Sequence, residues 1–192
     1  MKLLFAASEL FPLIKTGGLA DVAHSLPNAL TGLQVDVRVV LPAYRQVLAA
    51  VDSIRVLGWL HLSGGREARI LEATHPEVTA PLWLVDAAAL FDRSGGPYID
   101  SSGRDWHDNP ARFALFSEAA ALLACDDLGL GWRADTVHAN DWQTGLVAAY
   151  LSQSASAPHT VFTVHNLAYD CQFDYGEFQN LHLPHHWWSM EH

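Results

Sequence analysis

The sequence predicts an α/β fold: a Rossmann-like, doubly wound and mostly parallel sheet, in one domain over residues 1–192. Three observations predict it. Short apolar runs alternate with helical patterns, the runs lack a polar alternation, and polar loops follow several of them. Such runs are typical of strands that are buried on both faces of a parallel sheet. The 192 residues, half of them apolar at 50%, are enough for one large core.

The chain opens with a strand–helix–strand unit. Residues 3–7 form a continuous apolar run, which predicts the first central strand. Apolar residues then recur at helical spacing over residues 19–30, after Gly17 and Gly18, so one face of this helix should pack on a sheet. Residues 35–41 predict the second strand. The crossover between the two parallel strands should be right-handed.

The middle of the chain predicts three strands, a loop and a helix. The strands are expected at residues 54–61, 68–73 and 82–85. Residues 93–109 are rich in Gly, Ser, Asp and Pro and predict a long loop, a feature that is often functional in compact domains. Residues 113–128 are rich in Ala and Leu, which have high helix propensity, and predict the clearest helix.

Strand–helix alternation continues to the end of the chain. A strand is expected at residues 136–139, a helix at 142–151 and another strand at 160–164. In open sheets of this kind, ligands bind beyond the carboxyl ends of the strands. We therefore expect a binding site where three polar loops meet on one rim: residues 8–18, 140–142 and 165–169.

Composition excludes several functional classes. The 11 Lys and Arg against 21 Asp and Glu give a formal net charge of −10, which disfavours nucleic acid as a partner. The 2 cysteines are too few for a disulfide framework, which suits a reducing cytoplasm. No apolar run approaches the roughly 20 residues of a membrane helix, so no membrane partner is expected.

The segment Lys15-Thr16-Gly17-Gly18-Leu19 places a cation and two glycines where a loop meets a helix. Backbone N–H groups at a helix amino terminus and a nearby cation suit a diphosphate, and glycine permits close backbone approach. The spacing is neither that of a Walker loop nor that of the Gly-x-Gly-x-x-Gly fingerprint. A helix start that merely tolerates glycine is the alternative.

Three blocks carry a family resemblance. SELFPLIKTGGLADV at residues 8–22 resembles the amino-terminal signature of bacterial glycogen synthases and plant starch synthases. DTVHANDWQ at 135–143 and FTVHNLAY at 162–169 resemble the second and third blocks of that family, in the same order and spacing. The chain departs from the pattern at Asn140, where His is common, and at Gln143, where His or a similar residue is common.

The resemblance implies a retaining glucosyltransferase that moves glucose from ADP-glucose to the non-reducing end of an α-1,4-glucan. Its fold would be the two-domain B-type, with two Rossmann-like domains, and no metal or cofactor would be needed. By this resemblance the chain is the amino-terminal domain, incomplete at its carboxyl end and without the second domain. The chain alone is therefore expected to be inactive, and its partners are ADP-glucose or ADP and the glucan.

The resemblance also assigns roles. Lys15 would neutralise diphosphate charge, while Gly17 and Gly18 would give the diphosphate access to the backbone. His165 would lie beside the glucosyl ring, near the developing positive charge, and Asp141 would orient sugar hydroxyls or the acceptor. These two residues are the expected catalytic pair.

Asp21 and Tyr98 complete the predicted substrate-binding set, and each candidate has a structural alternative. Asp21 is favoured in the first turn of a helix on electrostatic grounds, and Tyr98 could pack on the surface. Asp141 could be a helix N-cap, and His165 a core residue satisfied by the backbone. Glu9 is interpreted as a structural or supporting residue.

Two further patterns near the end of the chain are weighed. His182, His185 and His186 lack an accompanying carboxylate or Cys of a zinc site, so no metal is predicted. Trp187 and Trp188 are interpreted as core residues, with glucan contact as the alternative.

Two rival functions remain open from the sequence. One is a non-catalytic module that binds glucan or a synthase partner. The other is a related glycosyltransferase that uses another nucleotide sugar.

Overall fold

A seven-stranded sheet runs through the computed structural model, which describes residues 1–168 and 173–188. Its order is β3-β4-β5-β2-β1-β6-β7. The strands are β1 Lys2–Ala6, β2 Asp36–Pro42, β3 Ser53–Leu62, β4 Arg66–His75, β5 Val78–Asp86, β6 Thr136–Asn140 and β7 His159–Thr163.

The sheet is mixed, and its parallel part holds the centre. β1 pairs in parallel with β2 and β6, β2 with β5, and β6 with β7. β3, β4 and β5 form an antiparallel meander. The meander follows from its short connections, since antiparallel neighbours can be joined by a tight turn whereas parallel ones need a crossover. The predicted α/β, mostly parallel sheet is confirmed.

Six α-helices connect or follow these strands in the described residues. They are α1 Leu19–Gly32, α2 Arg45–Ala50, α3 Ala88–Phe91, α4 Asn109–Cys125, α5 Val147–Leu151 and α6 Tyr175–Gln179. Single 3₁₀ turns lie at Ser63–Gly65, Trp142–Thr144 and His185–Trp187. In the part of the chain that the structure describes, no helix combines the length and apolar character of a membrane span.

The helix predicted at residues 142–151 is broken, and that expectation was wrong in part. A 3₁₀ turn at Trp142–Thr144 precedes α5. The Thr144 hydroxyl donates to the Asn140 carbonyl at 2.8 Å, and the Gly145 N–H donates to the Trp142 carbonyl at 3.0 Å. Such local bonds compete with regular helical pairing, so the chain tightens before α5 begins.

The long central helix is shifted relative to its prediction at residues 113–128. α4 starts at Asn109, with Pro110 in its first turn, where proline is pre-organised for a helix. It ends at Cys125 because Asp126 is left-handed, with φ 64°. The Asp126 carboxylate accepts the N–H groups of Leu130 and Gly131, which fixes this turn.

The parallel centre also positions the predicted rim. β1, β6 and β7 are neighbours that run in one direction, so the loops that follow them leave the same edge of the sheet. The segment between α3 and α4, residues 92–108, is called the wall loop below. It lies within two residues of the loop that the sequence predicts.

Candidate functional site

The loops of this rim line one cleft. Its volume is about 730 Å³, within the range of small-molecule sites. The loop after β1 contributes Glu9, Gly17 and Gly18, the wall loop contributes Tyr98, and the loops after β6 and β7 contribute Asp141 and His165. Of the seven predicted site residues, five therefore line the cleft.

Glu9 is the centre of the first loop and is only 3% exposed. Its carboxylate accepts the Thr16 N–H at 2.6 Å, the Thr16 hydroxyl at 2.6 Å and the Gly17 N–H at 3.1 Å. The Tyr98 hydroxyl adds a fourth bond at 2.7 Å. Glu9 thus ties the glycine loop to the wall loop. The sequence indicated a supporting role for Glu9 but carried no signal for these four hydrogen bonds.

The two glycines leave α1 open at its amino terminus. Gly18 precedes the first helical residue and makes no side-chain cap. A Cβ atom added at Gly17 or Gly18 would meet no atom within 4 Å. Internal packing therefore does not require glycine here. The Gly17 N–H is used by Glu9, so the N–H groups of Gly18 and Leu19 are the ones left to face a ligand.

Lys15 and Asp21 lie beside the cleft and do not line it. The Lys15 Nζ is 2.7 Å from both carboxylate oxygens of Asp21, and it lies 5.8 Å from the centre of the Phe11 ring. Both charged side chains are about half exposed. Exposed pairs contribute only about 0–1 kcal/mol, so Lys15 can turn toward an anion at low cost.

Tyr98 lines the cleft, and its hydroxyl is hydrogen-bonded to Ser8 and Glu9. The phenol donates to Glu9, so the 2.8 Å contact with Ser8 must be donated by the Ser8 hydroxyl. Burial raises the pKa of the Tyr98 phenol well above its ordinary value. The neutral phenol is therefore available as a donor to Glu9 throughout the physiological range.

Asp141 has an unusual backbone for a residue other than glycine, with φ 57° and ψ 177°. Such a conformation costs about 1–3 kcal/mol and is concentrated at functional sites. Asp141 occupies the N-cap position of the turn at Trp142–Thr144, but its side chain makes no cap hydrogen bond there. Its carboxylate accepts the His165 N–H at 2.6 Å, and its own N–H donates to the Thr163 carbonyl at 2.9 Å.

His165 is held to β6 through its ring. Nε2 lies 2.9 Å from the side-chain oxygen of Asn140, a residue that is fully buried. The Asn140 amide group in turn donates to the carbonyls of Ala6 and His138 at 3.0 and 3.2 Å. The asparagine that departs from the family pattern is therefore the residue that holds the predicted catalytic histidine.

The three histidines near the end of the chain, His182, His185 and His186, are exposed. His182 lies against Gly64, where an added Cβ would be 2.3 Å from its Nε2 atom. Within residues 1–168 and 173–188, no group of three or more His, Cys, Asp or Glu could hold a metal ion. Trp187 packs partly buried on the core, while Trp188 is half exposed. Tyr169, in the third block, lies outside the described residues.

A pH prediction follows from His138, which lies on β6 beneath the site. Burial, with a smaller contribution from His165, lowers the pKa of His138 below its ordinary value of 6.5. The unfolded chain therefore takes up this proton more readily than the folded one. The stability that neutral His138 contributes is complete above about pH 6.5 and is lost as pH falls toward the lowered pKa.

Urea unfolding at several pH values between 8 and 5 checks this expectation. The His138→Gln variant should lose less unfolding free energy over that range than the wild-type chain. His159→Gln, which changes an exposed histidine on β7, is the matched control and should follow the wild type. Equal slopes for the wild type and the His138 variant would contradict the assignment.

Comparison with known proteins decides the family. Residues 2–192 match the sequence profile described as the starch synthase catalytic domain. The chain belongs to this family. It is 50% identical over 191 residues to glycogen synthase 1 of Methylococcus capsulatus, covering 100% of this chain and 38% of that protein. It is 51% identical over 193 residues to the glycogen synthase of Thioalkalivibrio sulfidiphilus, covering 100% and 40%.

A solved structure agrees with the fold of this starch synthase family chain. The catalytic domain of starch synthase IV from Arabidopsis thaliana, bound to ADP and acarbose, superposes with a TM-score of 0.76 at 26% identity. The superposition covers 95% of this chain and 37% of that one. The chain thus spans about two fifths of the length of the relatives it matches, and the predicted Rossmann-like α/β fold is confirmed over the part that superposes.

Proposed function

We propose that this chain is the amino-terminal part of a glycogen synthase and forms one side of its donor site. The whole protein would transfer glucose from ADP-glucose to the non-reducing end of an α-1,4-glucan with retention of configuration. One observation carries this proposal. The three sequence blocks, at residues 8–22, 135–143 and 162–169, are far apart in the chain but contribute to one cleft of about 730 Å³.

The diphosphate would lie at the amino terminus of α1. The N–H groups of Gly18 and Leu19 are unused by Glu9, and the 14-residue helix adds a favourable partial charge. Lys15 would leave Asp21 and neutralise the phosphates. Asp21 would thus hold the Lys15 side chain in place between catalytic cycles. A stabilised leaving group is a large contribution to this kind of transfer.

The glucosyl unit would lie between the loops after β6 and β7. Asp141 and His165 line that part of the cleft and are joined by the bond from the His165 N–H. Tyr98 would close the site from the wall loop. The Arabidopsis structure supports the partners, because that protein binds ADP and acarbose. No metal or cofactor takes part in the proposal, and the protein is placed in the cytoplasm.

The remaining part of the protein would supply the second domain of the B-type fold. Catalysis needs groups from both sides of the donor within tight geometry. A chimera that joins this chain to the remaining portion of the Methylococcus glycogen synthase 1 is expected to transfer labelled glucose from ADP-glucose to glycogen. This chain alone should transfer none. An inactive but folded chimera that still sediments with glycogen would favour the binding-module hypothesis, and preference for UDP-glucose would favour another donor.

This chain has lysine only at Lys2 and Lys15, so substituting each one separately in the same chimera gives a matched pair of variants. Lys15→Ala should raise the KM for ADP-glucose by at least about tenfold, since a charge-assisted bond to phosphate contributes about 1.5–3 kcal/mol. Lys2→Ala makes the same charge change at the opposite end of β1 and should leave KM unchanged. Equal KM values for the two variants would contradict the diphosphate role.

A further inference from the structure

The orientation of the Asn140 side chain is fixed by its surroundings. Asn140 is fully buried, and its amide nitrogen lies 3.0 Å from the Ala6 carbonyl oxygen and 3.2 Å from that of His138. Carbonyl oxygens can only accept hydrogen bonds, so the group that faces them must be the NH₂ donor. The side-chain oxygen Oδ1 is then the atom that faces His165.

This orientation determines where the proton sits on His165. Oδ1 of an asparagine can only accept, and it lies 2.9 Å from the His165 Nε2. Nε2 must therefore carry a hydrogen. In the neutral ring the other nitrogen, Nδ1, is then the acceptor. The directions in which the two ring nitrogens bond diverge widely, so Nδ1 bonds away from the buried asparagine.

The backbone of His165 is fixed independently. Its N–H donates to the Asp141 carboxylate at 2.6 Å, so both the main chain and the ring are anchored to the end of β6. His138 on β6 and Asp141 directly after β6 are titratable neighbours of His165, and lowering of the His138 pKa keeps that histidine neutral near pH 7. Asn140 itself does not titrate.

We propose that Asn140 is a positioning residue that holds His165 in the Nε2–H tautomer, so that Nδ1 accepts a hydroxyl hydrogen of the donor sugar. This inference rests on the proposed function for the identity of the sugar. The tautomer itself does not. A histidine at position 140, as in the family pattern, could donate or accept and would change with pH, whereas asparagine presents one fixed acceptor.

The tautomer is measured directly by ¹⁵N NMR of this chain with labelled histidine at pH 8, where neutral rings dominate. Protonated and unprotonated ring nitrogens differ widely in ¹⁵N shift. The wild-type chain should show His165 as Nε2–H alone. Asn140→Ala should give a mixture of tautomers. Asn140→Asp retains an acceptor toward Nε2, and its second oxygen, which faces the Ala6 and His138 carbonyls, must carry a proton to donate to them. This variant should keep the Nε2–H form. A wild-type ring with its proton on Nδ1 would overturn the proposal even if the alanine variant fails to fold.

The acceptor role is tested in the chimera with ADP-glucose. Saturating ADP-glucose should shift the Nδ1 resonance, and ADP alone should shift it less. Asn140→Ala should lower kcat by about tenfold, in line with the loss of one oriented hydrogen bond, and Asn140→Asp should restore part of it. An active chimera whose Nδ1 resonance does not respond to the sugar nucleotide overturns the acceptor role. A wild-type chimera with no transfer counts against the proposed function alone, because the tautomer is read without it.

Discussion

Arg112→Ala is expected to destabilise the chain by about 3–5 kcal/mol, because it leaves several buried acceptors without a donor. The Arg112 guanidinium donates to the carbonyls of Leu90 and Pro97, each at 2.9 Å, and to the Asn109 side chain at 2.6 Å. Arg112 is 1% exposed. In a chain of this size the loss corresponds to a fall in Tm of roughly 10–15 °C.

The packing around Arg112 explains why water cannot replace it. The rings of Phe91, Trp106 and Phe113 lie 5.4, 5.8 and 5.3 Å from its guanidinium carbon. Burial lowers the pKa of the Arg112 guanidinium, yet arginine keeps its charge in proteins. Aromatic rings and oxygen acceptors thus surround the charge, and the acceptors come from Leu90 before the wall loop, Pro97 within it and Asn109 after it. Loss of Arg112 should release that loop from the cleft.

Two variants make the measurement decisive. Arg55→Ala removes an exposed arginine that pairs with Glu72 and should change stability by less than about 1 kcal/mol. Arg112→Lys keeps the charge but not the planar fork, so its Tm should lie between the wild type and Arg112→Ala. Thermal unfolding followed by circular dichroism gives all three values. Equal Tm values for the Arg112→Ala and Arg55→Ala variants would show that the buried contacts contribute nothing.

Arg112 also marks a limit of prediction from sequence. Arginine is mostly exposed in proteins, and nothing in the local pattern of α4 distinguishes a buried one. Its partners come from α3, the wall loop and the start of α4, and their meeting depends on the folded path of the chain. Glu9 is a similar case, because Thr16, Gly17 and Tyr98 reach it only after folding. Long-range hydrogen bonds leave no local periodicity.

The strands of the parallel centre could be predicted for a definite reason. β1, β2 and β6 are short and mostly buried, because crossover connections cover both faces of a parallel sheet, whereas β7 is an exposed edge strand. Because parallel strands have their carboxyl ends at the same edge of the sheet, the loops that follow them were expected on one rim. The helix break after Asp141 could not be predicted, since it depends on a side-chain bond from Thr144 and on a backbone conformation usually reserved for glycine.

For the predicted substrate residues, too, some features could be predicted from the sequence and others could not. The glycine loop and His165 line one cleft, on the rim where the motif and the topology together predict a binding site. The pairing of Lys15 with Asp21 was not predicted, because two charges six residues apart meet only through the local path of the loop. A motif predicts which residues meet a ligand, whereas the fold determines which residues they contact within the chain.

The largest catalytic effect is expected for His165→Ala in the chimeric enzyme. The proposed role places this ring beside the glucosyl unit, where positive charge develops, and loss of one oriented polar group at such a position costs roughly 10²–10³ in kcat. ADP affinity should change little, because the diphosphate site proposed at α1 is formed by other residues. Rates of glucosyl transfer at saturating ADP-glucose, with ADP binding measured by calorimetry, separate the two effects.

His159→Ala provides the matched control, since it removes an exposed histidine from the opposite end of β7. The control should keep the wild-type rate, because His159 pairs with Thr136 at the amino ends of their strands, away from the cleft. A loss of kcat in both variants would indicate general damage to β7. Equal wild-type rates in both would show that His165 is dispensable. The transfer would then depend on the remaining polar groups of the cleft, with Asp141 first among them because its carboxylate already binds the same loop.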